Sequence, residues 1–152
     1  MGNIFNQDFL DFINSLNRTK VEYILVGGYA VILYGYSRTT GDLDIWINPT
    51  EENYVKLIKS FSYFGLPTNI ISKKDFLDTK NFEVFTFGRP PISIDIMTKV
   101  KGLVFATAYK RSMIYETNGI KIRLIHYNSL IKAKKASGRL KDLNDIQQLE
   151  EE

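Results

Sequence analysis

The chain has 152 residues, of which 44% are apolar and 24% charged, and its net charge is +3. This length supports one domain with a hydrophobic core, and the composition is that of a globular protein rather than a disordered or fibrous one. The chain has no cysteine, which excludes disulfides and thiolate metal sites. No apolar run approaches membrane-spanning length and no signal peptide is evident, so we expect a cytoplasmic protein with no membrane role.

Hydrophobic periodicity and turn residues predict alternating helices and strands along the whole chain. Predicted helices are 6–17, 28–36, 51–64, 72–78, 103–110 and two basic or charged helices from about residue 128 to 150, separated at Gly138. Predicted strands are 23–26, 43–47, 82–87, 92–97, 112–116 and 120–124. Asn6, Thr50 and Ser72 are predicted helix caps, Asn118-Gly119 a two-residue hairpin turn, and residues 88–91 a Gly-Arg-Pro-Pro turn.

This order of elements predicts an α/β fold, in which a mixed sheet is flanked by helices. We expect a single domain over residues 1–152, with a core of about 20–125 and a helical C-terminal segment of about 127–150. No repeat, low-complexity tract or linker divides the chain.

Two aspartates on the second predicted strand are the first sign of a chemical site. Asp42 and Asp44 alternate along the strand, so both side chains project from one face. Two adjacent carboxylates repel each other unless a cation lies between them, and hard divalent ions prefer such oxygen ligands. The alternative is structural, with Asp42 capping a turn and Asp44 paired with Arg38. Arg38 itself is expected either to contact a triphosphate or to hold Asp44 or Asp95 in place.

A glycine pair and a third carboxylate extend this pattern. Gly27 and Gly28 follow the first predicted strand, where they could admit a phosphate to backbone amides or could simply form a tight turn. Asp95 lies on the predicted strand 92–97, where it shares a face with Ser93 and Met97. The ordered set of glycines and three aspartates is a much stronger signal than one Asp-x-Asp pair.

The glycine pair, the segment Asp42-Leu43-Asp44-Ile45 and Asp95 resemble the signature of the nucleotidyltransferase superfamily with the DNA polymerase β-like fold. This resemblance implies metal-dependent transfer of a nucleoside monophosphate from an NTP to a hydroxyl, with release of pyrophosphate. It implies two Mg²⁺ ions, or Mn²⁺, held by catalytic carboxylates, and a triphosphate bound by other residues. The implied catalytic and metal residues are Asp42, Asp44 and Asp95, and the implied nucleotide contacts are Gly27, Gly28 and Arg38. The sequence does not distinguish ATP from CTP or UTP.

The C-terminal segment is similar to the closing segment of small bacterial nucleotidyltransferases related to AbiEii-type toxins. The matching residues are Lys134, Arg139, Asp142 and Asp145, and Arg38-Thr39-Thr40 matches the Arg-x-Thr ahead of the metal strand. The resemblance implies that Lys134 and Arg139 reach nucleotide phosphates, although a lysine-rich helix face can equally be only solvated. We expect Asp142 and Asp145 to cap and anchor the last helix.

Several acceptors and roles remain open at this level. The AbiEii-type resemblance favours RNA, such as a tRNA 3′ end, or a partner protein as acceptor, in a toxin–antitoxin system. Small-molecule antibiotics are a second acceptor class. A different hypothesis is a non-catalytic, antitoxin-like or nucleotide-binding partner with the same fold, and a weaker one is a plain nucleic-acid-binding module. A basic stretch between Lys99 and Lys141 suits a polyanion, or is a solvated surface.

Three aromatic residues and the single histidine are further candidates for the site. Tyr29 and Tyr34 are expected in the core, with stacking on a base as the alternative. Trp46 shares its strand face with Asp44 and either flanks the site or packs beneath it. His126 has no histidine or cysteine partner for zinc and is predicted to be structural.

Overall fold

A computed structural model describes residues 5–89 and 92–151. Its helices are α1 (Gln7–Arg18), α2 (Gly27–Leu33), α3 (Glu51–Phe64), α4 (Lys73–Leu77), α5 (Phe105–Arg111), α6 (Tyr127–Ser137) and α7 (Leu140–Glu150). Its strands are β1 (Tyr23–Val26), β2 (Asp42–Ile47), β3 (Val84–Arg89), β4 (Ile92–Met97), β5 (Met113–Thr117) and β6 (Ile120–Leu124). Every predicted element is present, and no end is shifted by more than three residues. The predicted turn at Pro90 and Pro91 falls outside the described residues.

The predicted helix caps are confirmed. The side chains of Asn6, Thr50 and Ser72 each accept a hydrogen bond from a backbone amide in the first turn of the following helix. His126 is also structural, as predicted, because its Nδ1 accepts a hydrogen bond from the amide of Asn128 at the start of α6. At the hairpin between β5 and β6, Asn118 and Gly119 have φ values of 49° and 75°, as a tight two-residue turn requires.

The strands form one mixed sheet in the order β3-β4-β2-β1-β6-β5. β2 is parallel to β4 and β1 is parallel to β6, whereas the other neighbouring pairs are antiparallel. The central strands β1 and β2 therefore have neighbours on both sides. This arrangement confirms the predicted α/β fold with a mixed sheet flanked by helices.

Side-chain alternation gives the two faces of the sheet different roles. Leu43 and Ile45 of β2 are aligned with Ile94 and Ile96 of β4, and these four side chains are buried in the hydrophobic core. The aromatic contact between Phe61 of α3 and Phe87 of β3, with ring centroids 5.7 Å apart, belongs to the same layer. The opposite face carries the aspartates.

The aromatic candidates have core positions. Tyr29 stacks on Phe5 with ring centroids 4.9 Å apart, and the Tyr34 hydroxyl donates to the carbonyl of Ile125 at 2.7 Å. Trp46 is 2% exposed and meets Phe105 of α5 edge to face, so it is packed in the core on the same sheet face as the aspartates. Within the described residues, no helix is both long and apolar enough to cross a lipid bilayer.

Candidate active site

The pairing of β2 with β4 brings the predicted carboxylates together. Asp44 lies opposite Asp95 in the parallel register, and Asp42 lies opposite Ser93, so all four side chains project from one face. The hydroxyl of Ser93 donates to Oδ1 of Asp42 at 2.5 Å. Residues that are 51 positions apart in the sequence thus share one site.

The electrostatics of this site are unfavourable for three anions. Burial raises the pKa of the Asp44 carboxyl to about 7, and the adjacent Asp95 carboxylate, with which it can share a proton, adds to the shift. Asp42 contributes a further repulsion, which Lys141 partly offsets. Oδ1 of Asp95 is buried and, apart from a proton shared with Asp44, has no hydrogen-bond partner among the described residues. An unpaired buried carboxylate oxygen is costly unless something binds it.

The two glycines make room for this arrangement. Gly27 has a φ of +72°, and a β-carbon added there would lie 2.0 Å from Oδ2 of Asp44. A β-carbon on Gly28 would lie 2.7 Å from the Thr40 hydroxyl oxygen and 3.3 Å from Nη2 of Arg38. The first glycine is therefore required by the position of Asp44, and the second by the loop that precedes β2. Contact of either glycine with a phosphate stays a prediction.

Buried ion pairs tie the C-terminal helices to the loop before β2. The Arg38 guanidinium pairs with Asp145, with Nε 3.1 Å from Oδ1 and Nη2 3.2 Å from Oδ2. The ammonium of Lys134 lies 3.1 Å from Asp142 and 3.0 Å from Asp145. Arg38 thus holds neither Asp44 nor Asp95, and Asp44 is not its ion-pair partner. Asp142 and Asp145 anchor α7, as predicted, but through ion pairs rather than as helix caps.

Arg139 completes this cluster from a more exposed position. Its Nε donates to Oδ2 of Asp142 at 2.7 Å, and its side chain is 65% exposed. Burial alone would raise the pKa of the Asp142 carboxyl, but hydrogen bonds from Arg139 and Lys134 outweigh it and lower the pKa. Lys134 is only 7% exposed, whereas Arg139 has room to meet a ligand.

A cleft of about 360 Å³ opens beside Asp44, between the sheet and the C-terminal helices. This volume falls at the lower end of the range for small-molecule sites, roughly 300–1,000 Å³. One wall is apolar and includes Val26, Met97, Val100, Ile125 and Leu130. The charged lining includes Lys99, Lys101, Lys134, Arg139 and the acidic Glu83 and Asp142. The cleft thus offers an apolar surface and cations next to the paired carboxylates.

The carboxylate oxygens of Asp42, Asp44 and Asp95 are the type of ligand that a hard divalent cation prefers, but the three side chains do not converge on a common point. In the described ranges, no three acidic, imidazole or thiol groups converge as a ready-made metal cage. Asp42 is exposed and its carboxylate is turned toward Ser93. The buried Oδ1 of Asp95 and the raised pKa of Asp44 nevertheless mark a place where a cation would relieve repulsion between anions.

Several neighbours of the site were not among the residues selected from the sequence. Ser93 could have been found, because it alternates with Asp95 on the same strand face. Lys99 and Lys101 follow β4 directly, but a pair of lysines in a basic stretch carries no specific signal. Lys141 acts on the pKa of Asp44 from α7, which only the folded chain reveals.

Comparison with known proteins finds the same fold in solved structures. No family model matches the chain. No curated protein matches its sequence either. TM1012 from Thermotoga maritima, a provisionally assigned nucleotidyltransferase, is 18% identical with a TM-score of 0.58, and the match covers 96% of this chain and 92% of that one. The lincosamide antibiotic adenylyltransferase LnuA, solved with lincomycin bound, is 16% identical with a TM-score of 0.52, and the match covers 98% of both chains.

At these identities the likeness establishes the fold, and not the reaction. The chain has the fold seen in nucleotidyltransferase structures, along essentially its whole described length. This confirms the fold expected from the glycine pair and the three aspartates. The narrower resemblance to AbiEii-type proteins stays a prediction.

Proposed function

We propose that this protein is a metal-dependent nucleotidyltransferase, which moves a nucleoside monophosphate from an NTP to an acceptor hydroxyl and releases pyrophosphate. The observation that carries this proposal is the pairing of Asp44 with Asp95 on adjacent parallel strands, with Asp42 on the same face beside a cleft. The fold shared with TM1012 and LnuA supports it.

In this proposal the three aspartates hold two Mg²⁺ ions, or Mn²⁺. When bound, such ions stabilise charge on the attacking and leaving oxygens during an in-line displacement at the α-phosphate. The side chains themselves supply position and proton transfer. Ser93 orients Asp42 through its short hydrogen bond, and the buried Oδ1 of Asp95 is available to accept the proton of the acceptor hydroxyl.

The nucleotide occupies the cleft in this proposal, with its base against the apolar wall and its phosphates near the cations. Arg139 is exposed enough to contact phosphate while it remains paired with Asp142. Lys134 and Arg38 are already paired with buried carboxylates of α7. In this proposal they support the phosphate site chiefly by holding the C-terminal helices in position beside it. ATP is the first nucleotide to test, because LnuA is an adenylyltransferase.

The resemblance seen in the sequence favours two acceptors in this proposal. One is RNA, such as a tRNA end, and the other is a partner protein in a toxin–antitoxin pair. A hydroxyl-bearing small molecule is a third candidate. It is supported by LnuA, a structure of matching length with an antibiotic bound. An NTP substrate also suits the cytoplasmic location expected from the sequence.

The test is transfer of α-³²P label from each of the four NTPs in the presence of Mg²⁺ or Mn²⁺. Bulk tRNA, cell lysate, the protein itself and lincomycin are offered as acceptors, and Asp42→Asn is assayed in parallel. We expect label on one acceptor and none with the variant, whose fold should be unchanged. Equal labelling by Asp42→Asn would refute the assignment. A stable complex with another protein, and no label anywhere, would favour the non-catalytic partner.

A further inference from the structure

The cations that line the cleft differ in how much of their charge is already neutralised. Lys134 is buried between Asp142 and Asp145, and Arg139 pairs with Asp142. Lys99 makes one long contact of 3.7 Å with Glu83, and both of these side chains are more than half exposed. Exposed pairs of this kind contribute little free energy and exchange partners readily. Lys101 makes no ion pair with any residue in the described part of the chain.

The backbone that presents Lys99 and Lys101 is held in place on both sides. Before the lysines, Thr98 makes two hydrogen bonds to the segment that precedes β3. Its amide donates to the carbonyl of Glu83 at 2.9 Å, and its hydroxyl donates to the carbonyl of Phe82 at 3.1 Å. After the lysines, Gly102 has a φ of +86° and lies so close to α6 that an added β-carbon would be 2.7 Å from Cβ of Ala136. The two lysines are therefore exposed side chains on a backbone segment that its neighbours hold in position.

Position also connects these lysines to the carboxylates. They lie four and six residues beyond Asp95, at the end of the strand that carries it. Val100, between them, belongs to the apolar wall of the cleft and packs against the core. A nucleoside against this wall would have both ammonium groups at the rim, which is where the phosphates of a nucleotide can extend.

We propose that Lys99 and Lys101 form a phosphate-binding subsite of the cleft, and that it takes the triphosphate of the NTP. This inference rests on the proposed function and adds a binding site to it. The nucleotide is favoured over an RNA backbone because both lysines line the same bounded cleft as Asp44 rather than an open groove along the surface. On binding, Lys99 exchanges its contact with Glu83 for a phosphate oxygen.

The experiment compares Lys99→Gln/Lys101→Gln with Lys59→Gln/Lys74→Gln. The control pair removes the same charge from exposed positions on α3 and α4, away from the cleft. Inorganic tripolyphosphate is the probe, because it has the charge of the triphosphate without a base, and its dissociation constant is measured by calorimetry. We expect at least about tenfold weaker binding in the cleft variant, since charge-assisted contacts to phosphate are lost, and less than twofold change in the control.

Further readouts separate the possible explanations. Lys99→Arg/Lys101→Arg should restore binding, and in the labelling assay the KM for the NTP should rise in the Gln variant while that for the acceptor does not. Equal tripolyphosphate binding by the cleft and control variants would overturn the subsite, even if the wild type transfers label. A rise in the acceptor KM alone would also overturn it, because the lysines would then serve RNA. Lysine-dependent binding without any transfer would support the subsite and count against the proposed reaction.

Discussion

The Asp44 carboxyl shows how one residue can lower stability in order to form a site. Its pKa is raised to about 7 by burial and by Asp95, so the folded state favours the protonated form. A carboxyl with a raised pKa in the folded state does not reduce the free energy of unfolding below its pKa in the unfolded chain, which is near 4. As pH rises from there toward 7, the free energy of unfolding falls, because the unfolded chain releases the proton more readily than the folded one. Above pH 7, the ionised Asp44 therefore lowers the free energy of unfolding in the absence of metal.

We predict that Asp44→Asn is more stable than the wild type at pH 8 in EDTA, by roughly 2–4 kcal/mol. The reason is that the amide removes the buried charge while the side chain keeps almost the same shape. For a chain of this size, each kcal/mol corresponds to a shift in Tm of about 2–4 °C. Thermal unfolding at pH 4 and pH 8 measures the effect, and the difference should nearly vanish at pH 4. A variant less stable than the wild type at pH 8 would contradict the prediction.

Gly27 supports the same carboxyl by having no side chain. We predict that Gly27→Ala destabilises the fold by roughly 2–4 kcal/mol, which combines a positive-φ penalty with displacement of the Asp44 side chain. Gly119→Ala is the matched control, because Gly119 has a φ of +75° but no atom within 4 Å of an added β-carbon. Chemical denaturation compares the two. Equal losses would mean that the contact with Asp44 is unimportant.

At the scale of elements, α7 is held both by buried apolar side chains and by charges from elsewhere in the chain. Ile146 and Leu149 lie in the hydrophobic core, and Asp145 is 1% exposed and contacts both Arg38 and Lys134. Removal of one partner from a buried ion cluster leaves uncompensated charge, which typically costs about 3–5 kcal/mol. The cluster therefore couples the C-terminal helices to the loop that precedes β2.

We predict that Asp145→Asn lowers the free energy of unfolding by about 3 kcal/mol or more, because Arg38 and Lys134 both lose a buried anion. Glu150→Gln is the control, because Glu150 lies on the same helix and its pair with Lys135 of α6 spans 3.9 Å and is exposed. Exposed pairs contribute less than about 1 kcal/mol. Urea denaturation of both variants tests this. Similar small effects in the two would show that the cluster does not hold α7.

At the scale of the whole molecule, the sequence predicted what depends on periodicity and local caps. The alternation predicted that Asp42 and Asp44 share a face of their strand, and that Ser93 and Asp95 share a face of theirs. The parallel register of β2 and β4 brings the two sets onto one face of the sheet. The partner of Arg38 was not predictable, because Asp145 lies 107 residues away and many acidic residues could have met that guanidinium. The roles of Lys99 and Lys101 were equally hidden, since charge neutralisation around a cleft depends on tertiary contacts.

Metal binding should be visible as a change in the stability of the whole molecule, because Asp44 and Asp95 belong to adjacent strands of the single sheet. A ligand that binds only the folded state adds about 2.7 kcal/mol at a hundredfold excess over its Kd, which corresponds to several degrees in Tm. We predict such a rise for the wild type when Mg²⁺ replaces EDTA at pH 8, with ionic strength held constant by NaCl.

Asp44→Asn should start from a higher Tm and show little further rise with Mg²⁺, because the amide has lost both the repulsion and the charged ligand. Stability without metal and stabilisation by metal therefore change in opposite directions at Asp44: the substitution that stabilises the metal-free fold removes the rise in Tm that Mg²⁺ produces. An equal rise in both proteins would place the ion elsewhere on the surface. No rise in either would count against a metal site at these carboxylates, and with it against the proposed reaction.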